Sequence, residues 1–151
     1  MARLTRKTLF AIEAVLDIAY NGGPEAAQSR KITRRQGIPP RYLEQVLQQL
    51  VRAGILTGMR GPRGGYRLAR ERRRIGVGEI VRVVRDMEGT ADPIADPAGS
   101  ELGHQVVRPL WLELQRDFER RLDAVSIEDL CQRAQDAGIE SESALRLDYV
   151  I

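Results

Sequence analysis

The pattern of apolar and polar positions is clearest over Lys31–Leu68, where it predicts two short helices followed by a β-hairpin. Ser29 is a good N-cap for the first helix, and Gly37 is a typical residue to end it. Pro39 and Pro40 suit the first turn of the second helix, where a missing N–H costs nothing. Apolar residues then recur at three- and four-residue spacing, which predicts one buried face. These residues are Leu43, Val46, Leu47, Leu50 and Val51.

The opposite face of the second helix carries side chains that can bind base edges and phosphates. They are Arg41, Glu44, Gln45, Gln48 and Arg52. Ile55–Met59 is predicted to be a strand, Gly61–Gly65 a turn, and Tyr66–Leu68 the returning strand. This order is typical of a winged helix-turn-helix, whose second helix enters the major groove of DNA. The alternative is a small helical core with a solvated basic loop.

The segments on either side of this unit predict further helices. A first helix from Thr5 to about Tyr20 has an apolar stripe made of Leu9, Ile12, Val15, Leu16 and Ala19. The run at 70–74 is either a solvated connector or a non-specific phosphate contact. A helix is predicted over Glu79–Met87, and 88–104 is predicted to be a flexible loop because it is rich in Gly and Asp-Pro pairs.

Gln105–Val125 predicts a helix about 30 Å long, which exceeds what a small winged domain needs for its own core. Its apolar stripe predicts pairing with the same helix of a second copy, with packing against the first helix as the alternative. The predicted dimerisation residues are Val107, Leu110, Trp111, Leu114, Phe118 and Leu122. The expected fold is therefore mostly α with a small β-hairpin wing. Its predicted parts are a DNA-binding domain (1–87), a loop (88–104), a dimerisation helix (105–125), and a C-terminal helix and tail (126–151).

The distribution of charge along the chain says more about the binding partner than the net charge of +3 does. Residues 28–74 hold thirteen Lys and Arg against two acidic residues, and residues 75–151 hold eight against sixteen. A basic segment joined to an acidic one is typical of a nucleic-acid-binding protein. No apolar run is long enough to span a bilayer, and the one cysteine, Cys131, suits a reducing compartment, so a cytoplasmic location is expected.

These observations assign candidate DNA contacts by chemistry. Arg41 and Gln45 can bind guanine and adenine, Glu44 can accept from cytosine, and Arg60 can enter a narrow minor groove. The predicted phosphate contacts are Lys7, Gln28, Ser29, Arg34, Gln48, Arg63 and Tyr66. An enzyme is not expected, because a Cys/His pair, a serine elbow and a Gly-Lys-Ser/Thr phosphate loop are all missing.

Six short motifs in order resemble the Rrf-two (Rrf2) family of bacterial transcription regulators, to which IscR, NsrR and CymR belong. They are Arg3-Leu4-Thr5, Gln36-Gly37-Ile38-Pro39, Tyr42-Leu43-Glu44-Gln45, Arg60-Gly61-Pro62-Arg63-Gly64-Gly65-Tyr66, Val77-Gly78-Glu79-Ile80 and Leu110-Trp111. The resemblance implies a homodimer held by the long helix, with one winged domain on each half of a pseudo-palindromic promoter site. It also implies that Tyr42, Glu44 and Gln45 face bases and that Arg60 enters the minor groove.

Many members of that family sense through an iron–sulfur cluster held by three cysteines in the loop before the long helix. The corresponding loop here, 88–104, has no cysteine, and His104 alone cannot hold a cluster. We therefore expect a cluster-free regulator without a cofactor or metal, controlled by an effector metabolite, a partner protein or its own abundance. The alternative from another class is an interaction module whose winged fold binds, and is controlled by, a partner enzyme.

Overall fold

The computed structural model describes residues 4–23, 25–89 and 91–143, and in these ranges it shows six α-helices and one hairpin. The helices are α1 (Arg6–Asn21), α2 (Ser29–Gln36), α3 (Pro40–Arg52), α4 (Val77–Glu88), α5 (Arg108–Ala124) and α6 (Ile127–Asp136). The strands are β1 (Leu56–Met59) and β2 (Gly65–Leu68). Short 3₁₀ turns lie at Arg72–Arg74 and Pro93–Ala95, and a π-helical turn, Gly103–Val107, runs directly into α5. The predicted mostly α fold with a hairpin wing is confirmed.

α3 has the buried face that the apolar spacing predicted, although Val51 is only partly buried. Leu43, Val46, Leu47 and Leu50 are all fully buried, and each such side chain stabilises the fold by about 1.5–3 kcal/mol. Gly37 ends α2 in the left-handed conformation, at φ 66°, which leaves the chain free to turn into α3.

The buried face of α1 differs from the predicted stripe. Ala11, Ala14 and Val15 are fully buried, whereas Leu9 is 44% exposed and Ile12, Leu16 and Ala19 are only partly buried. Of the predicted apolar stripe, Leu9 is thus an exposed residue and not part of the buried face. The small side chains of α1 carry its tightest packing, and apolar spacing alone does not distinguish such a face from a neighbouring row of larger residues.

The wing is a two-stranded hairpin, and one residue outside it forms a bridge to it. β1 and β2 pair antiparallel from Leu56 opposite Leu68 to Met59 opposite Gly65. Ala27, just before α2, forms the bridge by exchanging two main-chain hydrogen bonds with Tyr66, at 2.9 and 2.8 Å. The helix-turn-helix and the wing are thus joined directly through the backbone.

The second half of the molecule is built on α4. α5 packs along it, with ion pairs of 2.9 Å from Arg82 to Asp123 and from Arg85 to Glu119. Ser126 caps α6: its hydroxyl accepts from the Asp129 N–H while the Asp129 carboxylate accepts from the Ser126 N–H. This reciprocal pair of hydrogen bonds is a capping box.

α6 packs back onto α1, so the C-terminal helix shares the core of the winged domain. Ile127 and Cys131 are its buried residues. The structure describes the tail only as far as Ser143, so the predictions for residues 144–151 and for Arg3 lie outside the described residues. Across the described ranges, the helices are all too short or too polar to cross a membrane.

Candidate nucleic-acid interface

The polar face of α3 points outward, opposite the buried leucines. Arg41, Glu44, Gln45 and Gln48 are all exposed. The first three lie in the first two turns of the helix, the part that meets base edges in helix-turn-helix proteins. The geometry therefore leaves these side chains available for base contacts, and their roles stay predictions.

The tip of the wing is shaped by glycines and presents two arginines. Arg60 and Arg63 are both exposed. Gly64 lies so close to the returning chain that a Cβ there would be 2.4 Å from the Met59 carbonyl oxygen. The tight turn makes the tip narrow, as a minor-groove or backbone contact requires.

The start of α2 lies beside the wing. Gln28 Nε2 donates to the Pro62 carbonyl oxygen at 3.4 Å, and Arg30 Nε donates to Gln28 Oε1 at 3.2 Å. Between them lies an open cleft of about 610 Å³ that Ser29, Arg60 and Tyr66 also line. Gln28, Ser29 and Tyr66, predicted separately as phosphate contacts, are thus brought together, while Arg34 is exposed elsewhere on α2.

Tyr42 and Lys7 are in contact with each other. The Tyr42 hydroxyl donates to the Lys7 carbonyl oxygen at 2.8 Å, and Lys7 Nζ lies 5.8 Å from the ring centroid. Burial, helped by the Glu88 carboxylate, raises the pKa of Tyr42 to about 12. The hydroxyl of Tyr42 therefore already holds α3 against α1, whereas the Lys7 side chain remains exposed. A base contact by Tyr42 remains a prediction.

The basic run at 70–74 is largely engaged in ion pairs within the chain. Arg70 binds Glu79 at 2.7 Å, Arg72 binds Glu128, and Arg73 binds Glu71 at 2.6 Å. Burial opposes ionisation of Glu79. The carboxylate accepts hydrogen bonds from Arg70 and from the Gly76 N–H, and these outweigh the effect of burial and lower the pKa of Glu79. These pairs fit the connector interpretation better than the phosphate-contact one.

A buried carboxylate beneath the helix-turn-helix was missed by sequence reasoning. The Asp17 side chain is fully buried and accepts two hydrogen bonds from Arg35, at 2.9 and 2.6 Å, and one from Gln36 at 2.7 Å. Arg35 also binds Glu142 at 2.9 Å. The local indication of such a network is an acidic residue placed directly between the apolar residues Leu16 and Ile18 of α1.

The long helix carries a second surface, which we call the α5 stripe. It is a row of large apolar side chains on the π-helical turn, the residue before it and α5, each between 42 and 73% exposed. The row consists of Leu102, Val106, Val107, Leu110, Trp111, Leu114 and Phe118. All the predicted dimerisation residues except Leu122, which is half-buried, belong to it. Within the described ranges, the stripe is therefore not buried against α1 as the alternative interpretation expected.

An outward polar helix, a basic wing and a separate apolar helix face define a DNA-binding transcription regulator of the winged-helix class. Residues 4–133 match the Rrf2 family model, described as an iron-dependent transcriptional regulator, and the chain belongs to that family.

Relatives and solved structures agree with this assignment. The chain is 30% identical over 133 residues to "Protein rrf2" of Nitratidesulfovibrio vulgaris, covering 87% of this chain and 89% of that protein. It is 33% identical over 134 residues to the HTH-type transcriptional regulator IscR of Xenorhabdus nematophila, covering 88% of this chain and 81% of that protein.

Among solved structures, T. potens IscR matches with a TM-score of 0.71 and 30% identity, over 89% of this chain and 90% of that one. CymR, the global cysteine regulator of B. subtilis, matches with a TM-score of 0.70 and 27% identity, over 88% and 98%. These relatives are regulators, so this protein is a DNA-binding transcription regulator and not an enzyme.

The family description implies iron, so the available ligands matter. Within the described ranges, groups of three or more His, Cys, Asp or Glu placed to hold a metal ion are absent. The chain's one thiol, Cys131, is 1% exposed in α6, and burial raises its pKa, which disfavours the thiolate that a cluster needs. This donor set does not fit an iron–sulfur cluster.

Proposed function

We propose that the protein is a homodimer that binds a pseudo-palindromic promoter site, sequence-specifically, without an iron–sulfur cluster. The observation that carries the proposal is the α5 stripe. A second copy is its occupant because one helix face can pair with itself about a two-fold axis, burying the same residues twice. Such a dimer carries two winged domains, and a two-fold symmetric protein matches a palindromic site.

In this proposal the exposed side chains at the start of α3 read bases in the major groove. Glu44 accepts from cytosine, Gln45 pairs with adenine, and Arg41 reaches guanine or phosphate. Arg60 at the wing tip enters the minor groove, while Lys7, Gln28, Ser29, Arg34, Gln48, Arg63 and Tyr66 hold phosphates. Support comes from the exposure of Arg41, Glu44, Gln45 and Arg60.

The cluster-free part of the proposal is supported by the single buried thiol. We also retain the division into a DNA-binding domain (1–87), a loop (88–104), a dimerisation helix (105–125) and a C-terminal part (126–151). Because a regulator of bacterial promoters acts on the chromosome, the proposed location of the protein is the cytoplasm. An effector metabolite or a partner protein remains the proposed source of control.

The decisive test is Leu114→Glu, which puts a charge in the middle of the α5 stripe. Leu114 is 51% exposed, so the isolated chain keeps its fold, which circular dichroism checks. Sedimentation equilibrium is expected to show a dimer for the wild type and a monomer for the variant. On the best duplex selected from a randomised library, the variant should bind no more tightly than to a half-site.

Arg116→Glu is the matched control, because Arg116 is an exposed polar residue on the same helix and lies outside the stripe. It should remain a dimer. A Leu114→Glu protein that stays dimeric would contradict the proposal. A wild-type monomer that retains a partner protein but no duplex would favour the interaction-module alternative. Tightly bound iron in the purified wild-type dimer would refute the cluster-free part.

A further inference from the structure

The chain that leaves α6 folds back onto α1. Gly138 follows the helix in the left-handed conformation, at φ 76°. Its N–H donates to the Gln135 carbonyl oxygen at 2.9 Å, and the Ile139 N–H donates to that of Ala134 at 3.1 Å. These two hydrogen bonds form a Schellman motif, which ends a helix and sets the direction of the chain that follows. The Ile139 carbonyl oxygen then accepts a hydrogen bond from the hydroxyl of Tyr20 in α1.

Four residues close a ring of hydrogen bonds between this C-terminal segment, α1 and α2. The Glu142 carboxylate accepts from Arg35 Nη1 at 2.9 Å, and the Glu142 N–H donates to Asn21 Oδ1 at 3.1 Å. Asn21 Nδ2 donates to Asp17 Oδ2 at 3.3 Å, and the Arg35 guanidinium donates to both oxygens of the same buried carboxylate. Each residue thus binds two others in the ring, and Glu142 is held by α1 and α2 at once.

α2 depends on such polar contacts because little of it is buried. Of its eight described residues, Ile32 near the middle is the one that is buried. The helix contains four basic residues and no acidic one, so its neighbours supply the compensating charge. Its N-terminal end adjoins the wing through Gln28, and its C-terminal end is held by the ring through Arg35. A helix about 12 Å long with one buried side chain can turn about that side chain when an end contact is lost.

We propose that residues 139–143, which we call the C-terminal strap, hold α2 in the orientation in which it contacts DNA phosphates. Glu142 is the positioning residue, because it acts on DNA binding through Arg35 and not by touching DNA. The phosphate contacts concerned are those of Gln28, Ser29 and Arg34, so this step rests on the proposed function. The docking of the strap does not, because it can be observed in the protein without DNA.

The strap predicts a specific pattern of loss. Without it, α2 turns about Ile32 and its phosphate contacts weaken, whereas α3 keeps its position because four of its side chains are fully buried. Phosphate contacts supply affinity and carry no sequence information. Binding should therefore weaken for all sequences alike, with base preference retained. Removal of a negative charge near a DNA-binding helix would otherwise have the opposite effect, because it lowers the repulsion of DNA.

The test variant is Glu142→Ala, and Glu140→Ala is its matched control. Glu140 is an exposed residue of the strap, so both variants remove one negative charge at nearly the same place. Hydrogen exchange of the α2 amides, corrected for intrinsic rates, is measured without DNA. Protection should fall at least threefold in Glu142→Ala and stay at the wild-type level in Glu140→Ala. Equal protection in the two variants would overturn the docking of the strap.

Fluorescence anisotropy on the selected duplex measures the consequence for DNA binding. Glu142→Ala should bind at least threefold more weakly than the wild type, and the slope of log affinity against log salt concentration should decrease in magnitude by about one. Glu140→Ala should bind as tightly as the wild type or more tightly. Partial unfolding would lower the fraction of active protein but leave this slope unchanged. Undiminished affinity in Glu142→Ala, or weaker binding with an unchanged slope, would overturn the positioning role.

Asn21→Ala detaches the strap from its other side, because the Glu142 N–H loses its acceptor. If both residues act through the same strap, the double variant should bind no more weakly than the weaker-binding of the two single variants. Fully additive losses would overturn the ring as a single unit. A wild-type protein that binds no duplex would refute the proposed function instead, and the exchange data would still decide the docking of the strap.

Discussion

At the scale of single residues, Asp17 shows how the fold places charge where sequence patterns predict none. Its carboxylate is enclosed, and the fork of Arg35 approaches both of its oxygens. Because α1 supplies the acid and α2 supplies the arginine and Gln36, this network fixes the first helix of the helix-turn-helix against its support. Removing one partner of such a pair leaves the other without compensation.

Asp17→Asn should lower the free energy of unfolding by about 3 kcal/mol. This is the lower end of the range for breaking a buried ion pair, because Arg35 retains its ion pair with Glu142 in the variant. Urea denaturation followed by circular dichroism measures this change. Asp86→Asn, at an exposed position on α4, is the control and should change stability by less than about 0.5 kcal/mol. A similar small change for Asp17→Asn would show that the network adds little to stability.

Glu44 and Arg63 give opposite expectations for DNA binding. Glu44→Ala should relax base preference at one position of each half-site, a loss of about 1–3 kcal/mol of discrimination, because a base-edge acceptor is removed. Arg63→Ala should weaken binding to all sequences alike, because a phosphate contact carries no sequence information. Competition binding across a randomised library distinguishes the two. An unchanged preference in Glu44→Ala would contradict its assignment.

At the scale of elements, the wing depends on a close backbone approach. Gly65 has φ 154°, and a Cβ there would lie 2.3 Å from the Ala27 carbonyl oxygen. Gly65→Ala should therefore break the pairing of Ala27 with Tyr66 and displace the tip, weakening DNA binding at least tenfold. Gly58→Ala on β1 is the control, because its nearest contact would be an ordinary 3.8 Å. Fluorescence anisotropy measures the DNA affinity of both variants, and equal affinities would show that the bridge between Ala27 and Tyr66 does not position the wing.

The elements that the sequence predicted well are those set by local chemistry. Pro40, Gly37 and the leucine spacing define α3, and the glycines around Arg63 define the turn, so each required only neighbours in the chain. Contacts between segments that are distant in the chain could not be predicted from neighbouring residues. The packing face of α1 depends on what α4 and α6 place beside it. The guanidinium of Arg108 donates to the carbonyl oxygens of Ile94 and Ala98, and every residue type carries such a carbonyl.

At the scale of the whole molecule, the segregated charge predicts a strong salt dependence. Residues 28–74 carry a net charge of +11, while the remainder is neutral or acidic. With six to ten phosphate contacts, affinity should fall by about 10³–10⁵ between 50 and 200 mM salt, because counterions are released on binding. Anisotropy at several salt concentrations gives the slope. A slope corresponding to one or two ions would mean that the basic segment does not face the duplex.

The backbone pairing of the start of α4 with the end of α5 has a consequence for how the proposed dimer would bind DNA. The Val77 N–H donates to the Val125 carbonyl oxygen at 2.8 Å, and the Ile127 N–H donates to that of Ile75 at 2.9 Å. These two hydrogen bonds therefore hold α5 in a fixed position relative to the winged helix-turn-helix domain. If the two α5 helices of the proposed dimer paired one helical turn, about 5.4 Å, out of their present register, the two winged domains would shift along the DNA by about one to two base pairs. In the proposed dimer, the distance between half-sites would therefore follow from the register in which the two α5 helices pair, and it could differ between relatives that read the same bases.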